Sequence, residues 1–122
     1  MRKTSMKSIL IVEDHTPIAD VICQAISLET MYQTLVVADG FQALTMVEEI
    51  RPDLFLLNYN LPKMTGIELY DHLHVIERLE HVPAIMMSAN PPIQELEQRK
   101  IITIKKPFGL SNVIDIIVSL LE

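Results

Sequence analysis

Short apolar runs alternate along this chain with longer amphipathic stretches, and this alternation is the feature that most limits the folds available to it. The runs are apolar at consecutive positions, which is typical of strands that helices cover on both faces of a sheet. Five such runs occupy residues 8–12, 32–38, 54–58, 84–88 and 101–105.

The stretches between the runs predict five helices. Thr16 is expected to cap the first one, Pro17 suits its first turn, and Ile18, Val21 and Ile22 repeat with helical spacing. The remaining helices are predicted over residues 41–50, 65–79, 92–100 and 110–121. Strands that alternate with helices indicate an α/β fold with a parallel sheet and right-handed crossovers.

The length of 122 residues fits one domain over residues 1–122, with a basic and polar segment, residues 1–7, expected as a frayed tail. The net charge of −6 argues against nucleic acid and against an anionic membrane surface as partners. No apolar run reaches the roughly 18 residues that a membrane-spanning helix needs. Because Cys23 is the only cysteine, no internal disulfide is expected. Together, these features predict a soluble cytoplasmic protein.

Polar residues follow the strands where each predicted run ends. Glu13 and Asp14 follow the first run, Asn58 and Ser88 close the third and fourth, and Lys106 follows the fifth. In a parallel sheet these ends lie on one edge, where open α/β sheets bind their ligands. We therefore expect these five side chains to line one shallow pocket.

Three segments give the chain a resemblance to the receiver domains of two-component signalling over nearly its whole length. They are residues 9–14 (ILIVED), residues 52–66 (PDLFLLNYNLPKMTG) and residues 106–108 (KPF). Each segment alone is weak, but the three in this order are highly specific. The resemblance implies a flavodoxin-like, doubly wound, five-stranded parallel sheet of order 2-1-3-4-5 with five helices.

The resemblance also implies roles for single residues. Glu13 and Asp14 match the acidic pair that binds Mg²⁺, and Asn60 matches the residue whose backbone carbonyl completes that metal site. Ser88 matches the hydroxyl residue that hydrogen-bonds the phosphoryl group. Lys106 matches the lysine that pairs with the same group. In the family, the peptide bond between this lysine and the following proline is often cis.

Asn58 stands where the family has its phosphorylated aspartate. An amide is neutral and a poor nucleophile, so no aspartyl phosphate is expected at this position. The pocket charge falls from about −2 to about −1, and Mg²⁺ prefers carboxylate oxygens, so metal binding is expected to be weak or absent. The Asn58 amide is expected to hydrogen-bond Ser88 or Lys106 and to hold the pocket in one state.

Two further departures agree with the loss of the acceptor. Thr103 occupies the position of the family's switch tyrosine or phenylalanine, and the segment between Ser88 and Lys106 is several residues shorter than usual. One interpretation is a naturally phosphorylation-independent receiver that needs no cofactor. The alternative is an ordinary Mg²⁺-dependent response regulator, served by a histidine kinase, in which Asn58 has replaced a native aspartate.

The resemblance implies a protein partner, a histidine kinase or another signalling protein, that docks on the face of the fourth helix, fifth strand and fifth helix. A second copy of the chain, forming a homodimer, is the other partner expected on this face. Apolar residues on the fifth helix cover a wider arc than the stripe of about 100° that packing on a core requires. The excess predicts either an exposed patch or deeper burial of this helix in the monomer.

A third hypothesis is an enzyme built on the same type of sheet. The sequence does not support it, because it contains no glycine-rich phosphate loop, nucleophile elbow or zinc-type cluster. We therefore expect a non-enzymatic module. His15 is interpreted as a solvated loop residue rather than an additional metal ligand. His72 and His74 are expected on the surface, and Cys23 at the edge of the core.

Overall fold

A computed structural model describes residues 6–122 and contains one five-stranded parallel sheet. Its order is β2-β1-β3-β4-β5, which confirms the predicted doubly wound topology. The strands are β1 Ser8–Val12, β2 Gln33–Val37, β3 Leu54–Asn58, β4 Ala84–Ser88 and β5 Ile102–Lys105. Each observed strand lies within its predicted run.

Five α-helices and one 3₁₀ turn connect and cover the strands. They are α1 Thr16–Glu29, α2 Gly40–Met46, α3 Gly66–His74, the 3₁₀ turn Glu77–Leu79, α4 Ile93–Gln98 and α5 Leu110–Leu121. Within residues 6–122, no helix is long and apolar enough to cross a membrane.

Some predicted helix ends are wrong. The second helix ends at Met46 rather than at residue 50. The third ends at His74, because Ile76 adopts an extended conformation before the separate 3₁₀ turn that buries Leu79. The N-cap of α1 is His15, not Thr16, and the His15 side chain makes no capping hydrogen bond.

Two apolar layers enclose the sheet. On one face α2, α3 and α4 cover residues such as Leu10, Phe55 and Met86. On the other, α1 and α5 cover residues such as Ile9 and Met87. Consecutive residues of one strand therefore enter opposite layers, which explains why β3 and β4 are buried at every position.

The wide apolar arc of α5 is used mainly inside the monomer. Val113, Ile114 and Ile117 are buried, and the other apolar residues of the helix are partly buried against the same layer. Among the described residues, the large apolar side chains that are exposed include none from α5. This arrangement favours deeper burial over an exposed α5 patch.

The amino-terminal segment is only partly covered by the structure. The predicted frayed tail falls mostly on residues 1–5, which lie outside the described residues. Met6 is exposed, but the Lys7 carbonyl accepts a hydrogen bond of 2.8 Å from the Gln33 backbone N–H. The Lys7 backbone therefore takes part in the pairing of β1 with β2, while the predicted fraying of the tail stays a prediction.

A bidentate ion pair ties α4 to α3. The Nε and Nη2 atoms of Arg99, just after α4, donate to the two carboxylate oxygens of Asp71 at 2.8 and 2.9 Å. The Tyr70 hydroxyl donates to the Arg99 carbonyl at 3.3 Å, which closes a second link between the same helices.

His74 is not the surface residue that its sequence position suggested. It is half-buried, its ring stacks on Tyr70 with the centroids 3.9 Å apart, and its Nε2 lies 3.0 Å from the Val82 carbonyl oxygen. Its α3 face is shared with Tyr70 because the two residues are four apart. His72, two residues earlier, is exposed as predicted.

Gly66 allows the loop after β3 to return against the end of that strand. Its backbone N–H donates to the Tyr59 carbonyl at 2.8 Å. A Cβ atom added here would lie only 2.6 Å from the Asn58 carbonyl oxygen, which is a backbone atom that cannot swing away.

Gly66→Ala should lower the free energy of unfolding by about 1–3 kcal/mol, because the backbone must shift to relieve this overlap. Urea unfolding followed by circular dichroism measures the change. Gly109→Ala is the matched control, since a Cβ at Gly109 meets no atom within 4 Å, and it should cost less than about 1 kcal/mol. Equal losses in the two variants would contradict the steric argument.

The Asp71–Arg99 pair predicts a pH dependence of stability. Hydrogen bonding from Arg99 holds the pKa of Asp71 below its ordinary value. A depressed folded-state pKa stabilises the chain above the unfolded-state value of about 3.9, and this contribution disappears as the pH falls through the folded-state value. Arg99→Gln should therefore be less stable than the parent at neutral pH, with the difference shrinking in acid.

Urea unfolding over a pH series from neutral to below the ordinary pKa of aspartate tests this expectation. Lys100→Gln is the control, since it removes the same charge from an exposed neighbouring residue. A stability difference for Arg99→Gln that stays constant throughout the series would assign the loss to packing rather than to the ion pair.

Candidate functional site

The carboxyl ends of β1, β3, β4 and β5 bring the predicted polar residues to one edge of the sheet. Among the described residues, the polar or charged side chains classed as buried are Glu13, Asn58 and Ser88, and all three belong to this edge. Asp14 is exposed and Lys106 is half-buried. The five residues expected to line one pocket therefore do lie around a common rim.

The Asn58 amide lies between the acidic residues and Lys106, and both its nitrogen and its oxygen form hydrogen bonds. Its Nδ2 donates to the Asn60 carbonyl oxygen at 2.9 Å, and over longer distances of 3.3 and 3.4 Å to Glu13 Oε2 and Asp14 Oδ1. Its Oδ1 accepts a hydrogen bond of 2.8 Å from Lys106 Nζ. This orientation is the one the neighbours require, since an ammonium only donates and a carboxylate only accepts.

The amide thereby joins the positive and negative sides of the pocket. Its NH₂ group, the positive end of the amide dipole, points at acceptor oxygens, and its carbonyl oxygen faces the Lys106 ammonium. A carboxylate at this position would instead place a third negative charge beside Glu13 and Asp14. The neutral side chain therefore removes a like-charge repulsion and keeps the bond to Lys106.

One atom of the pocket lacks a partner. Glu13 Oε2 accepts from the His15 backbone N–H at 3.1 Å as well as from Asn58. Glu13 Oε1 is buried and has no hydrogen-bond partner among residues 6–122. A buried carboxylate oxygen of this kind is expected to bind a donor such as a water molecule.

The donor set fits Mg²⁺ poorly in this arrangement. The oxygen atoms of Glu13, Asp14 and the Asn60 carbonyl are the kind of ligand that Mg²⁺ prefers. However, all three groups accept from Asn58 Nδ2, so the amide nitrogen occupies the place between them. In the described part of the chain, no cluster of three or more histidine, cysteine or acidic residues has metal-binding geometry.

Ser88 is not the partner of the Asn58 amide. Its Oγ accepts from the Asn90 backbone N–H at 3.2 Å, which forms a local turn at the end of β4. Of the two alternative partners expected for the Asn58 amide, the structure has Lys106, which confirms the expectation. The sequence pattern Ser-Ala-Asn after a strand could have indicated this local turn.

Among the described residues, the side chains of the remaining predicted positions make no hydrogen bond to the Asn58 amide. Thr103 is half-buried on β5, opposite Met86 of β4, so no aromatic ring occupies the switch position. His15 is exposed, and Cys23 is half-buried at the edge of the α1–α5 layer. The Lys106–Pro107 peptide bond is cis, as the resemblance implied.

A parallel sheet of this order, with an acidic pair, a serine and a lysine on its carboxyl edge, defines the class of CheY-like signalling domains. Residues 9–118 match the family described as "Response regulator receiver domain". The chain is 34% identical over 113 residues to sporulation initiation phosphotransferase F of Bacillus subtilis, covering 89% of each chain.

Two further similarities agree with this match. The chain is 38% identical over 86 residues to the DNA-binding response regulator MtrA of Mycobacterium tuberculosis, covering 70% of this chain but only 36% of that protein. The chemotaxis response regulator CheY4 of Vibrio cholerae has the same fold, with a TM-score of 0.87, 22% identity and coverage of 95% and 99%. The chain belongs to the response regulator receiver domain family of two-component signalling.

The pocket geometry predicts that Asn58→Asp destabilises the metal-free protein by about 1–3 kcal/mol. The change replaces three donated hydrogen bonds with repulsion from the acidic pair. Mg²⁺ should recover part of this loss in the variant by mass action, and should change the parent much less. Urea unfolding with EDTA and with Mg²⁺ measures both effects.

Asn112→Asp is the matched control, since it makes the same change at an exposed position of α5 that makes no hydrogen bond to the pocket residues described above. It should neither destabilise the protein appreciably nor create a response to Mg²⁺. A variant at position 58 that is as stable as the parent without metal would contradict the repulsion argument.

Proposed function

We propose that this receiver domain acts in two-component signalling as a phosphorylation-independent protein-interaction module. The observation behind the proposal is the Asn58 amide, whose oxygen accepts from Lys106 and whose nitrogen donates toward the acidic pair. Phosphoryl transfer needs an anionic oxygen in line with the phosphorus. At position 58 the chain offers a neutral oxygen that is already engaged by an ammonium.

Weak Mg²⁺ binding belongs to the same proposal. A cation must displace Asn58 Nδ2 from the carbonyl of Asn60 and from the carboxylates of Glu13 and Asp14. The net charge of about −1 also attracts a cation less than the family's usual value of about −2. The chain then requires no cofactor for its role.

With this pocket, the domain is proposed to have a single resting conformation. A receiver that is switched by phosphate shifts between conformations whose populations the phosphate biases. Here Lys106 is already bonded to Asn58, and Thr103 lacks the ring that couples the pocket to the output face in the family. The Asp71–Arg99 pair also ties α4 to α3. Partners would therefore read one arrangement of the surface.

The proposed interaction surface is the face formed by α4, β5 and α5. Ile93 on α4 and Ile102 on β5 are exposed apolar residues, 49% and 36% accessible. Exposed apolar residues on adjacent elements are a common feature of protein-binding patches. A histidine kinase or another signalling protein is the proposed partner, with a homodimer as the alternative occupant.

The remaining parts of the proposal follow from charge and composition. The net charge of −6 disfavours nucleic acid and anionic membranes as partners. We place the domain in the cytoplasm, where two-component regulators receive signals from histidine kinases. We assign it no enzymatic turnover, because the residue at the family's acceptor position, Asn58, is a neutral amide bonded to Lys106.

A second candidate function is that of an ordinary phospho-acceptor response regulator with a substituted aspartate. The observation that favours it is the presence of every other pocket residue, with Glu13, Asp14, Ser88 and Lys106 on one rim. The gene sequence from the source organism distinguishes the two candidates, since only the second has an aspartate codon at position 58.

Acetyl phosphate with Mg²⁺, followed by intact-mass measurement, tests the proposed function directly. The parent chain, in a sample whose mass verifies the amide at position 58, should gain no phosphoryl group. Asn58→Asp should gain one, because the rest of the pocket is in place. Asn60→Asp is the control, since it adds a carboxylate next to the pocket without supplying the acceptor position. Phosphorylation of the parent would overturn the proposal.

A further inference from the structure

We propose that a groove between α2 and the loop after β3 binds an arginine side chain of a protein partner. The guanidinium stacks on the Phe41 ring and donates hydrogen bonds to the carboxylates of Asp39 and Glu49. The groove lies at the β2 edge of the sheet, whereas the face of α4, β5 and α5 lies at the β5 edge. The inference therefore adds a second surface to the proposed function and does not depend on it.

The groove has room for a segment of a partner chain. Its volume is about 590 Å³, and it is lined by residues on and just after α2, by Val37 at the end of β2 and by Lys63 of the loop after β3. Ligand sites typically have volumes of about 300–1,000 Å³. One arginine side chain fills only part of this space, which leaves room for the partner residues on either side of it.

Phe41 supplies an aromatic ring that the monomer leaves largely uncovered. It is 54% exposed, whereas Phe55 is buried and Phe108 is half-buried. Aromatic side chains have a large apolar area, and they are enriched in interfaces, where a partner covers them. Phe41 is therefore the residue of α2 that a partner is expected to cover.

The same ring already attracts a cation of the chain itself. Lys63 Nζ lies 5.9 Å from the centroid of the Phe41 ring. A cation is attracted to an aromatic face within about 6 Å, so this ammonium lies near the outer limit of the interaction. Lys63 is also exposed, so water competes with the ring for its ammonium. A partner cation that approaches the ring more closely therefore displaces Lys63 at little cost.

The charges that line the groove favour a cationic occupant. Asp39 and Glu49 contribute two negative charges and Lys63 one positive charge, which leaves a net charge of −1 in a chain whose total is −6. Asp39 Oδ1 accepts from the Gln42 backbone N–H at 2.8 Å, and a carboxylate accepts further donors on its other oxygen. Anionic groups such as phosphate are repelled from this lining.

Arginine suits an aromatic ring beside carboxylates better than lysine does. Its guanidinium is planar and weakly hydrated, so it stacks on the ring while its N–H groups point outward to acceptors in the same plane. The lysine ammonium is compact and strongly hydrated, and it has no plane to stack. The partner is therefore expected to present an arginine on an exposed segment.

Peptide titration of the full chain tests the site without any substitution. Three tripeptides with blocked ends carry arginine, lysine or citrulline between two glycines, and citrulline has the shape of arginine without its charge. NMR at low ionic strength follows the Phe41 ring and the backbone amides. The arginine peptide should shift the signals of Phe41 and Glu49 along a saturating curve. It should bind about tenfold or more tightly than the citrulline peptide and about threefold more tightly than the lysine peptide.

Substitutions of the ring and of its resident cation should act in opposite directions. Phe41→Leu should weaken binding of the arginine peptide about threefold or more, because it keeps the apolar volume and removes the aromatic face. Lys63→Met should strengthen binding about threefold, because it removes the competing ammonium. Lys105→Met is the matched control, since it makes the same change at an exposed residue of β5, and it should leave the affinity unchanged.

The acidic lining is tested in the same titration. Glu49→Gln should weaken binding of the arginine peptide about twofold or more, because it removes one of the two carboxylates of the groove. Glu97→Gln is the matched control, since it changes the net charge equally at an exposed residue of α4, and it should leave the affinity unchanged. Equal losses in the two variants would assign the binding to the overall charge of the chain and would contradict the site.

The inference is overturned by equal affinities for the arginine and citrulline peptides, or by shifts that lie on other acidic surfaces. A lysine peptide that binds as tightly as the arginine peptide would contradict the assignment to arginine. Unchanged affinity in Phe41→Leu or Lys63→Met would contradict the role of the ring. Both residues are exposed, so the variants are expected to fold, and circular dichroism verifies this. None of these measurements involves phosphorylation, so the outcome is independent of the proposed function.

Discussion

The pocket depends on one neutral amide that joins an ammonium to two carboxylates. Lys106 binds the oxygen of Asn58, and Glu13 and Asp14 face its nitrogen. With an aspartate in this place, the acidic pair would need a cation to offset the repulsion among three carboxylates. With asparagine, the NH₂ group supplies the positive end, and the pocket is balanced by the chain's own atoms.

The rest of the structure holds these charged and polar groups together at one edge of the sheet. The parallel sheet places the ends of β1, β3 and β4 and the residue after β5 at one edge. Gly66 allows the loop that follows β3 to return against the backbone of Asn58. Buried apolar layers on both faces pack the strands together and so bring the polar groups at the strand ends close to one another. This packing is the basis of the proposed single output conformation.

Prediction from the sequence succeeded where a residue's neighbours in the sheet follow from strand order. The grouping of Glu13, Asp14, Asn58 and Lys106 needed only the assignment of parallel strands and the rule that ligands bind at their carboxyl ends. The sequence could not decide where a local interaction competes with a long-range one. It left Ser88 and Lys106 as alternative partners of Asn58, and in the structure Ser88 accepts from the nearby Asn90 backbone. The prediction of the third helix was wrong at its end, which is His74, because a separate 3₁₀ turn buries Leu79.

By itself, the sequence determined the α/β class, the sheet order through its resemblance, and the identity of the groups on the rim, because strand periodicity and residue type are local properties. Only the tertiary structure decided how those groups pair. Three features depend on distances between residues far apart in the chain. They are the orientation of the Asn58 amide, the environment of the Glu13 carboxylate and the ion pair between Asp71 and Arg99. Such distances follow from packing, which no single stretch of sequence encodes.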